Sequence, residues 1–313
     1  MKNSLLGLLL VFPVCAFAAL VELTVVDDRG EPVRGAEAEV AFATYSGKGE
    51  KIVRGLTTKD GKFKARGSSN HSTFVTVEKG GHYRSRIEKL KANTDYDLTV
   101  VLPRIRNPRP LYHVLRKDDE IPILPSFDTW YGFDMKMADW VAPHGKGEVV
   151  DFRARMSRQF TKFYTSERNI QEARRRFPEY TEDDFRRIWG DWELTFDMEF
   201  VGQSAGVVES PSFHEYSEMP LPYDAPESGY QRTWNFNYTN RASGEKRDNV
   251  GHFVKTRVIY DEEGKTEVSA NYAKFISDPW VGTQGEMLFE YYFNPDPNDR
   301  NLEYNGNNLA EEK

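Results

Sequence analysis

Apolar and polar residues alternate along most of this chain, and in its first hundred residues turn formers break the alternation roughly every 8–12 positions. Val21, Leu23 and Val25 alternate with Glu22 and Thr24, and Ala36, Ala38, Val40 and Phe42 with Glu37 and Glu39. A period of two sends successive side chains to opposite faces of a strand, so one face buries and the other stays wet. Asp27-Asp28-Arg29-Gly30-Glu31-Pro32 stops the first strand with residues that favour turns. Lys59-Asp60-Gly61-Lys62 predicts a tight hairpin joining 52–58 to 62–66. Together with 73–78, 83–90 and 96–102 this makes about seven strands, the pattern of a small β-sandwich.

The alternation returns at wider spacing after residue 125. Val150, Phe152, Ala154 and Met156 are set against Asp151, Arg153 and Arg155; Trp192 to Phe200 alternates strictly with Glu193, Thr195, Asp197 and Glu199. Trp234, Phe236 and Tyr238 alternate with Asn235, Asn237 and Thr239, and Met287, Phe289, Tyr291 and Phe293 make a late aromatic strand. One polar face is basic and another acidic, which on adjacent strands predicts cross-strand ion pairs. Two short helices interrupt the strands. Ser166 caps the first, which Pro178 ends; Thr181 caps the second, with Tyr180 and Phe185 placed as a hydrophobic staple. The run Arg174-Arg175-Arg176 reads as a solvated helix face near a C-terminus. Between the two regions, 103–125 holds five prolines and the charge cluster Arg116-Lys117-Asp118-Asp119-Glu120, which reads as an extended connector.

Residues 1–18 have the zones of a secretory leader: Lys2, an apolar core from Leu5 to Phe12, and Ala16-Phe17-Ala18 before the expected cleavage. The apolar run is too short to span a bilayer. An alternative is acylation at Cys15, although Phe12 and Val14 occupy positions where lipoprotein signals want Leu and a small residue. Loss of the leader removes Lys2 and the single cysteine, so the formal charge goes from −7 to −8 and no disulfide can form. About 295 remaining residues suffice for two cores. The acidic balance argues against nucleic acid, whose phosphates need surplus Lys and Arg. The expected location is periplasmic or secreted, with no membrane span after cleavage.

Three motifs carry a resemblance. Val-Asp-Asp-x-Gly-x-Pro-Val-x-Gly-Ala from Val26 to Ala36, Thr-x-x-Asp-Gly-x-Phe from Thr57 to Phe63 and Lys-Gly-Gly-x-Tyr from Lys79 to Tyr83 resemble the carboxypeptidase-regulatory-like (transthyretin-like) domain. The resemblance covers about a quarter of the chain. It implies a non-catalytic accessory sandwich, of the kind that accompanies metallocarboxypeptidases, outer-membrane nutrient receptors and adhesins. Val-Ala-Pro-His-Gly-Lys-Gly (Val141 to Gly147) and Asn-Pro-Asp-Pro-Asn-Asp-Arg-Asn-Leu-Glu (Asn294 to Glu303) resemble hallmarks of an uncharacterised exported bacterial family that joins such a sandwich to a β-rich second domain. The expected architecture is all-β. It comprises a seven-stranded immunoglobulin-like or prealbumin-like sandwich over 19–103, a linker over 104–125, and a sandwich or jelly-roll-like domain with two short helices over 126–313.

Candidate chemistry is sparse. Gly202-Gln203-Ser204-Ala205-Gly206 fits a nucleophile elbow with Asp248 and His252 downstream, yet the elbow needs a helix after it and Val207-Val208-Glu209-Ser210-Pro211 is extended and proline-stopped, so the motif reads as a glycine-rich β-turn. Glu193, Asp197 and Glu199 share one strand face, with residues two apart separated by about 7 Å. That spacing is admissible for a glycosidase pair and equally natural for the wet side of any strand. Neither H-x-x-E nor H-E-x-x-H occurs, and Asp296, Asn298, Asp299 and Glu303 depart from the EF-hand pattern, so no metal or cofactor is expected. Trp130, Trp140 and Trp280 lie near loop or strand ends, where aromatic rings stack on sugars or anchor partners. The reading is a non-catalytic binding or structural module for a glycan or another envelope protein. The alternative is a glycan-acting hydrolase using Glu193, Asp197 or Glu199.

Overall fold

The computed structural model describes residues 18–45, 50–115, 122–214, 216–239, 247 and 250–310. Residues 1–17, with Cys15, and the charge cluster Arg116–Glu120 lie outside the described residues, as does Asp248. The described chain is all-β apart from two short helices and divides into two compact units, Met1–Arg104 with Tyr216–Glu218, and Ile105–Glu215 with Met219–Lys313.

The first unit has seven strands: β1 (Ala19–Val26), β2 (Glu37–Phe42), β3 (Lys51–Leu56), β4 (Lys62–Gly67), β5 (Ser72–Glu78), β6 (Ser85–Lys91) and β7 (Tyr96–Val101). They form a three-stranded sheet in the order β4-β1-β7 and a four-stranded sheet in the order β3-β2-β5-β6. The alternation places Val21, Leu23, Val25, Ala38, Val40 and Phe42 in one core. Burying such side chains stabilises by roughly 1.5–3 kcal/mol each. The expected 52–58/62–66 hairpin is corrected. Asp60-Gly61 does reverse the chain, but β3 pairs with β2 and β4 with β1, so the turn passes from one sheet to the other. Gly61 has φ +71°, and a Cβ there would press into the Val25 carbonyl. Its own carbonyl accepts the Val25 N–H at 2.8 Å. Gly61→Ala is therefore expected to lower the first unit's stability by about 2 kcal/mol, measured by chemical denaturation. An unshifted midpoint would rule this account out.

The second unit begins inside the expected linker. Its strand β8 (Arg109–Val114) is an interior strand of a sheet, which corrects the reading of 104–125 as a connector. There follow β9 (Tyr131–Asp134), β10 (Asp139–Trp140), β11 (Phe152–Phe163), α1 (Glu167–Arg176), α2 (Glu182–Trp189), β12 (Gly190–Phe200), β13 (Gly206–Pro211), β14 (Thr233–Thr239), β15 (Val250–Tyr260) and β16 (Glu267–Phe275). The chain ends with β17 (Trp280–Val281), β18 (Met287–Leu288), β19 (Tyr291–Asn294) and β20 (Tyr304–Asn308). Five strands pair in the order β10-β9-β11-β12-β14 and six in the order β13-β15-β16-β19-β8-β20. The inward residues of both sheets, among them Phe152, Phe196, Phe200, Phe275, Tyr291 and Phe293, share one core. The helices follow their caps. Ser166 accepts from the Asn169 N–H, Thr181 and Asp184 form a reciprocal capping box, and the Tyr180 and Phe185 rings lie 5.9 Å apart.

Candidate ligand-binding face

The outer face of the five-stranded sheet gathers most of the polar residues singled out above. On β12, Trp192, Leu194, Phe196, Met198 and Phe200 point into the core, which leaves Glu193, Thr195, Asp197 and Glu199 on the other side. β11 and β14 flank β12 in antiparallel register, pairing Arg153, Arg155, Ser157 and Gln159 with Glu199, Asp197, Thr195 and Glu193. From the other side Thr233, Asn235 and Asn237 oppose Glu199, Asp197 and Thr195. The expected basic-against-acidic pairing therefore forms between β11 and β12, while β14 adds neutral Thr and Asn side chains on the other side.

One row of this face is fixed by direct contacts. Asp197 Oδ2 accepts from Arg155 Nε at 3.2 Å and Nη2 at 2.7 Å, and its Oδ1 accepts from Asn235 Nδ2 at 2.7 Å. The Arg155 guanidinium lies 4.8 Å from the centre of the Trp130 ring, a cation–π contact. Trp130 is 39% exposed, whereas Asp197 is nearly buried by its neighbours. Beside this row Arg232 pairs with Glu199 at 2.7 Å, and Thr195 donates to Asn237 Oδ1 at 3.2 Å. Glu193 is exposed. The result is a polar sheet face with an aromatic end and a line of positioned donors and acceptors.

The other candidates separate. Trp140, expected at a binding surface, is corrected to a core residue: it is 4% exposed, donates Nε1–H to the Ile123 carbonyl at 3.0 Å and meets Phe133 edge to face. Trp280 is exposed but sits on β17, in a sheet of two strands apart from the platform strands. Ser204 and His252 do not meet. Ser204 donates to Glu267 at 2.7 Å, an oxygen that Lys255 also engages at 2.5 Å, while His252 pairs with Asp278 at 2.8 Å. Burial pushes the Asp278 carboxyl up, but hydrogen bonds from His252 and Arg247 hold it well below its ordinary value. Near the C-terminus, Asp299 pairs with Arg109 and Glu303 accepts the backbone N–H groups of Arg106 and Asn107 at 2.7 Å each, so these oxygens serve different partners. Among the described residues no group of three or more His, Cys, Asp or Glu side chains is arranged to hold a metal ion.

A second polar centre went unnoticed in the sequence. Arg257 reaches Asp151 at 2.9 and 2.8 Å and Asp134 at 2.7 Å, and both carboxylates are buried. Burial works against the Asp134 charge, yet backbone N–H groups of Glu148, Val149 and Met137 and the nearby Arg257 hold its carboxyl below the ordinary value. Arg155, Asn235 and Arg232 were likewise missed as candidate residues. The signal for the first two was the alternation itself, which puts them at the same phase as Asp197.

The chain matches no family model. It also matches no curated protein. Solved structures give distant likenesses only. A 3-chlorocatechol 1,2-dioxygenase from Rhodococcus opacus has a TM-score of 0.24 and 9% identity over 28% of this chain and 60% of that one. A candidate carbohydrate-binding protein from Bacteroides uniformis has a TM-score of 0.22 and 9% identity, covering 87% and 95% of the two chains. A streptococcal ancillary pilin has a TM-score of 0.21 and 9% identity, covering 72% of this chain and 59% of the pilin. Among the described residues no helix is long and apolar enough to cross a membrane.

Proposed function

We propose that the second unit is a non-catalytic binding module that takes carbohydrate on the outer face of its five-stranded sheet. The observation that carries this reading is the row Trp130–Arg155–Asp197–Asn235. A sugar ring offers an apolar C–H face and a rim of hydroxyls that both donate and accept, and this row offers a ring followed by held donors and acceptors. Positions already fixed by their neighbours lose little freedom when a ligand arrives. A glycosidase requires a carboxyl kept protonated in an apolar pocket, facing a second across a cleft. Glu193, Asp197 and Glu199 instead stand on one polar sheet face, two of them against arginines. We further propose export to the periplasm or beyond on the strength of the leader. The first unit is then an accessory sandwich of the carboxypeptidase-regulatory-like kind, on the strength of its three turn motifs.

The test is calorimetric titration against a panel of purified polysaccharides. Wild-type protein is expected to bind at least one, and Trp130→Ala to weaken that binding about tenfold or more, since a stacked aromatic anchor is worth at least ~1.4 kcal/mol. Trp280→Ala serves as the exposed control and should bind as wild type. Full affinity in Trp130→Ala would remove the platform from consideration. Release of reducing ends by the wild type, lost in Glu193→Gln, Asp197→Asn or Glu199→Gln, would install the hydrolase reading.

A further inference from the structure

Lys274 lies on the outer face of the six-stranded sheet, in a row of side chains that register places side by side: Phe253 on β15, Lys274 on β16, Tyr292 on β19 and His113 on β8. It is 1% exposed. Its Nζ donates to the Met219 thioether at 3.7 Å and lies 5.0 Å from the centre of the Tyr292 ring. Among the described residues no carboxylate comes within 4 Å of it. Thioether sulfur is a weak acceptor, so this ammonium would be held by little more than a ring face.

Residues 219–225 lie over this face, where Leu221 and Ala225 join Phe253, Tyr272 and Ile276 in a small outer core and Met219 touches the amine. Met219, Pro220, Leu221, Tyr223 and Ala225 are all buried, which lays this extended segment on the sheet, where Asp224 bridges antiparallel to Asn301. Tyr223 accepts from the Leu302 N–H at 2.8 Å and Ala225 donates to the Arg300 carbonyl at 2.9 Å, which ties the far end to the sheet. The Pro220 carbonyl at the near end instead accepts from the preceding loop, from the Phe213 N–H and the Ser212 hydroxyl at 2.7 Å each. Leu221 occupies the space that Gly251 leaves open. Met219, at the near end, rests on Lys274.

The charged and titratable groups around the amine come from every neighbouring element. Glu290, ahead of β19, holds His113 at 2.9 Å, and Glu303, ahead of β20, is occupied by the two backbone N–H groups of Arg106 and Asn107. Tyr292 is the ring beneath. On β15 the next residue of the same phase, Lys255, is paired with Glu267. The covering segment adds Tyr223, stacked under Arg106 at 3.9 Å, and the exposed Asp224. Neither glutamate is placed to neutralise Lys274 without leaving partners it already has.

We propose that Lys274 and residues 219–225 form a proton-operated clasp, closed over the neutral amine and loosened at its Met219 end when the amine is protonated. Burial pushes the amine down to about 7, against the pull of Glu303 and Glu290. Once exposed by opening, it returns to its ordinary value of 10.5. Between these two values the closed form is neutral and the open form carries the proton, so closing releases one proton. The closed form therefore gains as pH rises through this window, by at most tenfold per pH unit, and its advantage is smallest below about 7. His214, pushed down to about 4 by burial, titrates below the window and does not confuse it.

Hydrogen exchange of the Met219, Leu221, Tyr223, Asp224 and Ala225 amides (Pro220 and Pro222 have none), corrected for the intrinsic pH dependence of exchange, reads the clasp directly in the full chain. Protection in the wild type is expected to rise at least tenfold between about pH 7 and pH 9. In Lys274→Met it should be flat, and at pH 7 already above the wild type. A second measurement needs no variant: the lysine 13Cε resonances of the wild type should include one that titrates well below all the others. Flat protection in the wild type, an unchanged rise in Lys274→Met, or a Lys274 carbon that titrates with the surface lysines would each overturn the clasp.

Discussion

Arg257→Ala is expected to destabilise the second unit by roughly 3–5 kcal/mol, because it strands two buried carboxylates at once. The guanidinium is the shared partner of Asp134 and Asp151, whose side chains are 3% and 0% exposed. Each carboxylate in turn organises backbone. Asp134 accepts the N–H groups of Lys136, Met137, Glu148 and Val149, while Asp151 accepts from Met135 N–H and from the Thr256 hydroxyl. Arg257 sits at a register shift in β15 with φ of 51°, a left-handed conformation that non-glycine residues seldom adopt. The bulge turns the side chain toward the two aspartates. Total stability of a domain this size is of order 5–15 kcal/mol, so the loss is a large fraction of it. Arg257→Lys should recover only part, since an ammonium cannot span both carboxylates as a planar fork does. Urea denaturation of the full chain checks this, and a shift below about 1 kcal/mol for Arg257→Ala would show that the aspartates find other partners.

Much of this architecture was legible because strand alternation records which face is buried. The inward sets Phe152–Ala154–Met156 and Trp192 through Phe200 could be read directly, as could the caps Ser166 and Thr181, whose chemistry is local. What escaped was set by partners distant in the chain. Five prolines and a charge cluster over 103–125 made this stretch read as a connector, yet Pro110 lies within β8, on whose β20 side the ladder is irregular and a missing donor is tolerated. Asp60-Gly61 specified a reversal but not which strands would pair afterwards. Trp140 stood near a loop in sequence, and only the packing of Phe133 and Tyr131 around it makes it core. On the platform, the acidic strand was visible, but its meaning came from Arg155 and Asn235 on the two neighbouring strands. Lys274 was hidden for the opposite reason. Ala273 and Phe275 face the core, so Lys274 falls at the wet phase of β16, and nothing local shows that 219–225 covers that face.

Lys274→Met should accordingly raise stability at pH 7, by on the order of 3–5 kcal/mol. Arg257 is a half-buried cation and Lys274 a fully buried one, but removing Arg257 abandons two buried anions whereas removing Lys274 abandons none within 4 Å. Methionine matches the lysine stem in length and fills the same space beside Met219 without a charge to discharge. The sign with pH follows from linkage. The amine has its pKa lowered to about 7 in the folded chain against an ordinary 10.5, so the unfolded chain binds more protons throughout that interval. Wild-type stability therefore rises as pH climbs from about 7 toward 10.5, and the methionine variant lacks this rise. The advantage of Lys274→Met should be greatest at pH 7 and below, and should shrink steadily on the alkaline side. Paired denaturation curves at about pH 7 and pH 9.5 decide the matter. A variant less stable than the wild type at pH 7, or a gap that does not narrow with rising pH, would mean that the folded protein carries Lys274 charged and that the covering segment accommodates a cation after all.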